Sequence, residues 1–423
     1  MLSLNVLWEF LGAWWWLFFP FALFPMARFL WLWWRMEVFD TYNPYMFLEL
    51  RFPRQVLRPI KTMENVFSGF WQLYDPANSR EKWFEGKYQL RITLEIVSIE
   101  GMIHFYLRFP RASRKLIESA IYSQYQDAEL TEVEDYTKNV PQDIPNKEWD
   151  LWGTSYMLEK PDVYPIKTYS KFFEESMMTP EEKRMDPMAL LMEGLTTLGP
   201  GEQMWIQIVL RPISQVEYKY HGLGKKIVDV LVRRPKPADE SLRGQLQAAG
   251  NLLITGAVPT SPVVHEVIPP EMKLTPGERV IVSAIEEKIA KYGFLASMRF
   301  IYLAKRENYF SPAKATVMSF FSQLSTWNLN NLRPLRPTIT KVHTILFWFL
   351  DARLVFTRKR RLFRNYTRRL PPFFPDVMRG MYLLNTEELA TVFHIPSELT
   401  VTTQAVQRVE TKKGQAPPII PQE

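Results

Sequence analysis

A chain of 423 residues with 47% hydrophobic content is long enough for two or three domains with real cores. It holds no cysteine, which excludes disulfides and thiolate metal sites. Its five histidines, His104, His221, His265, His343 and His394, have no HxxxH or HxH spacing, so neither a zinc or iron centre nor any other cofactor is expected. The formal net charge of +7 is not spread evenly: residues 1–35 carry +1, residues 341–423 carry +6, and the body between them balances.

The N-terminus is the most apolar part of the chain. "FLGAWWWLFFPFALFPMA" (Phe10 to Ala27) is 18 residues without a charge, and "FLWLWW" carries the run on to Trp34. A helix needs about 20 apolar residues to cross the hydrocarbon of a bilayer. Trp14, Trp15 and Trp16 at one end and Trp31, Trp33 and Trp34 at the other are placed as an aromatic belt would be, with Phe18 and Phe19 between them. These side chains are the candidate membrane contacts. An N-terminal transmembrane helix over residues 1–38 is therefore expected. A re-entrant or interfacial hairpin bent at Pro20 and Pro25, or a buried core helix, are the competing readings. A cleavable signal peptide fits poorly, because its basic residues would precede the apolar run and no Ala-x-Ala site follows. Arg28, Arg35, Arg51, Arg54, Arg58 and Lys61 all follow the segment. The positive-inside rule then predicts a single-pass plasma-membrane protein with its body in the cytoplasm.

The body carries an internal echo. "FLELRFPRQ" (Phe47 to Gln55) and "FYLRFPRAS" (Phe105 to Ser113) are strand-like and share Arg-Phe-Pro-Arg. Each leads into residues of helical period: Val66, Phe67, Phe70, Trp71 and Tyr74 in the first, Leu116, Ile117, Ala120, Ile121 and Tyr125 in the second. Strand signals follow each helix at Tyr88 to Ile99 and Ala128 to Tyr136, giving the order βαββαβ of a split, ferredoxin-like pattern. "ASMRFIYLAKRENYFSPAKATVMSFFSQL" (Ala296 to Leu324) is a third relative, preceded by a helix over Pro276 to Tyr292 and a strand over Gln203 to Pro212. Another helix, with its Gly/Pro stop, is predicted in Asp186 to Gln203. The fold class expected is α+β, with a first domain over 39–175 and a second over 176–350 that carries long Pro-rich loops.

Catalytic signals are thin. "KYHGLGKKIVDV" (Lys219 to Val230) has Lys219 where a phosphate loop needs its first Gly, and Lys226 where the magnesium-binding Ser/Thr belongs. "GTSYM" around Ser155 lacks the second Gly of a nucleophile elbow. Glu132, Glu134 and Asp135 alternate with Val133, which reads more simply as a solvated strand face than as acid/base machinery. The chain is therefore expected not to be an enzyme.

Residues 351–400 combine a basic segment with a capped helix. Arg358, Lys359, Arg360, Arg361, Arg364, Arg368 and Arg369, with Phe356, Phe363 and Tyr366 interleaved, could contact nucleic-acid phosphates and bases. They could equally lie on anionic lipid beside the anchor. The plainest reading is a solvated helix face paired with the acidic stretch Glu118 to Asp150. Next, Asn385 and Glu388 are spaced as a capping box before the stripe Leu389, Ala390, Val392 and Phe393, and Pro396 stops the helix. So short a helix must pack, either on this chain's own body or on a partner, and Leu389 and Phe393 are its candidate partner-docking residues. Residues 401–423 read as a Pro-rich tail or linker.

"LLNTEELATVFHIPS" with "QRVETKKGQAPP" resembles the junction of membrane-anchored ATPases of the type IV secretion and conjugative coupling-protein class in candidate-phyla bacteria. "IESAIYSQYQDAELTEVEDY" and "FFSQLSTWNLNNLRP" are similar to the uncharacterised N-terminal region of those proteins, so the likeness spans most of residues 40–420. It implies a docking helix and linker that hand over to a P-loop motor, which is not in this sequence. The expected function is that of a membrane-anchored, non-enzymatic protein positioning a cytoplasmic DNA- or protein-pumping ATPase. The expected partners are the bilayer, that ATPase (fused or separately encoded), nucleic acid and a second copy of the chain. A membrane-tethered nucleic-acid-binding protein acting without a motor is the alternative.

Overall fold

The computed structural model describes residues 4–53, 58–172, 186–232, 274–343, 348–373, 379–396 and 408–409, without the side chains of 4–11, 13–18, 22, 53 and 408–409. It opens with one continuous helix, α1 (Leu4–Tyr42), which runs through Pro20 and Pro25 without turning back. Among the described residues no helix is long and apolar enough to cross a membrane. The spanning segment expected from the sequence thus lacks support there, and the side chains of Trp14, Trp15, Trp16 and Phe18 lie outside those described. Phe19, Trp31, Trp33 and Trp34 are exposed. The C-terminal end of α1 is tied to the body. Trp31 donates to the Trp83 carbonyl at 2.9 Å, Arg28 lies over the Trp83 ring, and Asp40 accepts from the Tyr88 hydroxyl and pairs with Arg91.

The next elements are β1 (Tyr45–Pro53), α2 (Lys61–Phe70), β2 (Ile92–Ile99), β3 (Met102–Pro110), α3 (Arg114–Tyr122) and β4 (Glu129–Glu132), the βαββαβ order expected of this stretch. Glu100 and Gly101 join β2 to β3 with φ of 52° and 86°, the left-handed pair that a two-residue hairpin turn requires. Then come β5 (Trp149–Leu158), α4 (Ala189–Thr196), β6 (Glu202–Ile213), α5 (Tyr220–Leu231), α6 (Pro276–Ala290), β7 (Gly293–Lys305), α7 (Lys314–Gln323) and β8 (Leu332–Pro334). The chain continues with α8 (Asp351–Thr367), β9 (Tyr382–Asn385), α9 (Thr386–Val392) and β10 (Arg408–Val409).

The strands among the described residues join one ten-stranded sheet in the order β10-β1-β3-β2-β6-β7-β5-β8, with β4 also on β1 and β9 on β7. Every pairing is antiparallel except that of β10 with β1. Across the sheet the first half reads β4-β1-β3-β2 and the second β8-β5-β7-β6, the same order of equivalent strands on either side of the β2–β6 seam. The tight β2–β3 turn of the first half corresponds in the second to a long excursion that carries α5 and α6. The expectation of two separate domains divided at 175 therefore differs from the structure. β5 pairs with β7 and β8, and the halves merge because β2 and β6 pair from Ile92 with Leu210 to Ile99 with Gln203. Each strand thereby covers what would otherwise be an open edge.

Alternation along the strands divides the core. Leu48, Leu50, Leu94, Ile96, Phe105, Leu107, Ile206, Ile208, Met298 and Phe300 point to one face, where α2, α3, α4, α7 and α9 cover them. Phe47, Val97, Tyr106, Trp205, Ile301 and Leu303 point to the other, where Leu362, Phe363 and Tyr366 of α8 pack on them. A third cluster joins α5 and α6 through Val228, Ile285 and Ile289 to Leu295 and Leu383.

Candidate functional site

The face under α8 is not only apolar. From β4 to β5 one register row is polar at every strand. Thr131 stands beside Glu49, Glu49 beside Tyr106, Tyr106 beside Glu95, Glu95 beside Gln207, Gln207 beside Arg299 and Arg299 beside Ser155. Glu95, Gln207 and Arg299 have no exposed surface, and Ser155 and Glu49 are buried. Such groups are tolerated inside a protein when their charges and hydrogen-bonding atoms find partners.

Glu49 pairs with Arg51 and His104, while Arg369, just past the end of α8, supplies the counter-charge for Glu95. Its φ of 54° is uncommon for a residue with a side chain, and it accompanies a guanidinium directed into the sheet. Nε and Nη2 donate to the two oxygens of Glu95 at 2.9 and 3.2 Å, while Nη2 and Nη1 also reach the Asp135 carboxylate. The Tyr136 hydroxyl donates to Glu95 at 2.7 Å and meets the Tyr366 hydroxyl at 2.9 Å. Gln207 donates to Glu95 at 2.7 Å and accepts from Arg299 Nε at 2.7 Å. Glu95 thus accepts from Arg369, Tyr136 and Gln207, which leaves it poorly placed to act as a free base.

The electrostatics follow. Burial alone would raise Asp135, but the hydrogen bonds and charge of Arg369, with Thr137, hold its carboxyl below the ordinary value. Burial likewise works against the Arg369 cation, yet Glu95 and Asp135 keep it well above the usual guanidinium range. Desolvation pushes both Tyr136 and Tyr366 well above a normal phenol. At the far end of the row the balance reverses. Desolvation pulls Arg299 down to about 9; Tyr366 and Glu95 oppose it, while Arg369 and Arg91 add to it.

Of the basic residues singled out in the sequence, three are engaged within the fold. Arg369 is the buried clamp just described, which corrects its assignment as a surface contact for nucleic acid or lipid. Arg358 donates to the carbonyls of Arg336 and Ile339, and Lys359 pairs with Asp150 at 2.6 Å. Asp135 and Asp150 both belong to the acidic stretch. Arg360, Arg361, Arg364 and Arg368 remain exposed. Leu389 and Phe393 also need correction. They are 0% and 3% exposed, and α9 sits against α2 with Phe393 edge-on to Phe105, so this chain's own core has taken the stripe offered to a partner.

Other candidates resolve locally. Asn385 and Glu388 form the expected capping box, and Glu388 also pairs with the buried Lys288 at 3.0 Å. The Gly-Lys segment is helical, with Gly224 against Ile289. Ser155 lies within a strand, and Glu132 pairs with Arg111 and Arg114. Among the described residues no group of three acidic or histidine side chains could hold a metal ion. Sequence reading missed Glu95, Gln207 and Arg299, and weighed Ser155 only as a nucleophile. The available signal was one charged or amide residue between two apolar neighbours in each strand, "LEI", "IQI" and "MRF".

No curated protein matches the chain. Over residues 77–408, well over half its length, the sequence matches the family described as Domain of unknown function (DUF8128), and the chain belongs to that family.

Proposed function

We propose that this chain is a membrane-anchored, non-enzymatic protein that positions a cytoplasmic DNA- or protein-translocating ATPase at the membrane, in a type IV secretion- or conjugation-like setting. The observation that carries the anchoring is the surface of α1. Phe21 is 76% exposed, Phe24 60%, Met26 61% and Trp34 52%, and these positions lie on all sides of the helix. A helix apolar all round belongs in an apolar surrounding, and an aromatic patch of this extent marks a membrane or partner surface. A groove of about 590 Å³ supports the same reading. It sets Phe29, Leu30 and Trp33 of α1, with Glu37 and Asp40 at the helix's C-terminal end, opposite Arg108, Arg364 and Arg368, which brings cations beside the apolar part of the helix. The motor partner rests on the resemblance of the capped segment at Asn385 and its linker. Each half of the sheet is read as ferredoxin-like, supported by the strand orders β4-β1-β3-β2 and β8-β5-β7-β6 with helices in their crossovers.

Membrane fractionation tests the anchor. The full chain should pellet with membranes and resist carbonate, and its release by carbonate would overturn spanning. Copurification with a P-loop ATPase encoded beside it tests the motor, whose absence would remove that part of the reading and leave the anchor standing.

A further inference from the structure

The polar row ends in a pocket that its neighbours do not satisfy. Ser155 and Arg299 form its floor, Arg358, Arg361 and Asn365 of α8 one wall, and Thr338 and Phe373 the other, around a cavity of about 30 Å³. Arg299 is wholly buried, and its Nε is bound to Gln207. Neither terminal nitrogen has a hydrogen-bond partner among the described residues, and the same is true of the Ser155 hydroxyl. The Tyr366 ring, 5.8 Å from the guanidinium carbon, offers Arg299 its face but no acceptor atom.

Charge points the same way. Among the described residues three arginines line the pocket and no carboxylate does. The nearest carboxylate of the network, Glu95, is occupied by Arg369, Tyr136 and Gln207. Arg361 makes no ion pair among the described residues, whereas Arg358 is partly engaged by backbone carbonyls. A buried cation without a counter-charge is strongly disfavoured, and two parallel guanidinium N–H groups match two oxygens of an oxyanion. A cavity that holds a single water needs about 10–15 Å³, so one of about 30 Å³ has room for one small anion and not for a nucleotide.

We propose that this pocket is a binding site for a small inorganic oxyanion of the phosphate class. Arg299 is the bidentate anchor, the Ser155 hydroxyl a further donor, and Arg361 the cation at the mouth. The site is independent of the membrane and motor readings, since it lies at the junction of β5, β7 and α8.

The test is titration of the full chain in detergent with inorganic phosphate, followed by calorimetry and thermal melting at constant ionic strength set with sodium chloride. The expected result is saturable heat and a rise in melting temperature that chloride alone does not give. Arg299→Met should abolish the response, and Arg361→Ala, at an exposed position, should weaken phosphate at least tenfold while leaving the unliganded melting temperature unchanged. Should Arg299→Met fail to fold, Arg361→Ala and Ser155→Ala decide. No response in the parent chain, an equal response to chloride, or unchanged affinity in the folded variants would overturn the site.

Discussion

The two faces of the central sheet are built from the same strands and solve burial in opposite ways. One face carries Leu94, Ile206 and Phe300 under five helices, where exclusion of water is non-directional and many contacts share the stabilisation. The other carries Glu95, Gln207 and Arg299 at adjoining registers under one basic helix, where each group depends on a particular partner. An apolar face degrades gradually as side chains are trimmed. A polar face loses a whole partner at once, so its single substitutions should be the more severe and its paired ones the less additive.

The largest effect is therefore expected at Arg369. Arg369→Ala leaves Glu95 buried without its cation and should cost about 3–5 kcal/mol in denaturant unfolding, whereas replacing Arg369 and Glu95 together with apolar residues of similar volume should recover most of the loss. Costs that simply add in the double variant would break the contrast between the faces. On the apolar face, Leu389→Ala removes a fully buried side chain from α9 and should cost about 2–5 kcal/mol. That loss should add to the loss from a distant core truncation such as Ile117→Val, to within about 0.5 kcal/mol. Unchanged stability on Leu389→Ala would return the residue to the role of partner contact.

A smaller difference should appear on acidification. Asp135 has its folded pKa depressed below the unfolded value, because Arg369 outweighs the opposing effect of burial. Its contribution is then present above the unfolded pKa of about 3.9 and is lost as pH falls through the lower folded value. Unfolding measured from pH 7 to pH 2 should show stability falling across that window. Asp135→Asn should be less stable at pH 7 and should show a flatter acid limb. An acid limb identical to the parent's would detach Asp135 from the network.

The same contrast explains what the sequence could reveal. Asn385 and Glu388 were readable because a capping box is closed within four residues, and the βαββαβ order because alternation and helical period are local. The β2–β6 seam was not readable, since pairing partners over a hundred residues apart leave no local pattern. Glu95, Gln207 and Arg299 each looked like an isolated polar interruption, and only sheet register makes them one row. Leu389 and Phe393 were correctly seen as needing cover, but periodicity does not say whose surface provides it. Arg369 was indistinguishable from its neighbours in a basic run until a left-handed backbone just after α8 accompanied its entry into the sheet.

The finest distinction lies within α8 itself. Arg358 and Lys359 face inward to backbone carbonyls and Asp150, while Arg360 and Arg364 face outward with no such ties among the described residues. Replacing all of them at once would mix a folding defect with a binding defect, so the pairs must be separated. Arg358→Ala with Lys359→Ala should lower the melting temperature. Arg360→Ala with Arg364→Ala should leave it unchanged but weaken association with anionic vesicles, by about fivefold per residue if each contributes about 1 kcal/mol at the lipid surface. The binding is best read in a chain lacking residues 1–38, its fold first checked by circular dichroism, so that α1 does not dominate partition. Duplex DNA provides the opposing arm. If the outward arginines neutralise phosphates, their removal should flatten the salt dependence of DNA binding by about 0.9 log–log units for each phosphate no longer neutralised, and DNA should displace vesicles. Binding to neither would leave the outward side of α8 as a solvated surface, and the lipid contribution to anchoring would fall.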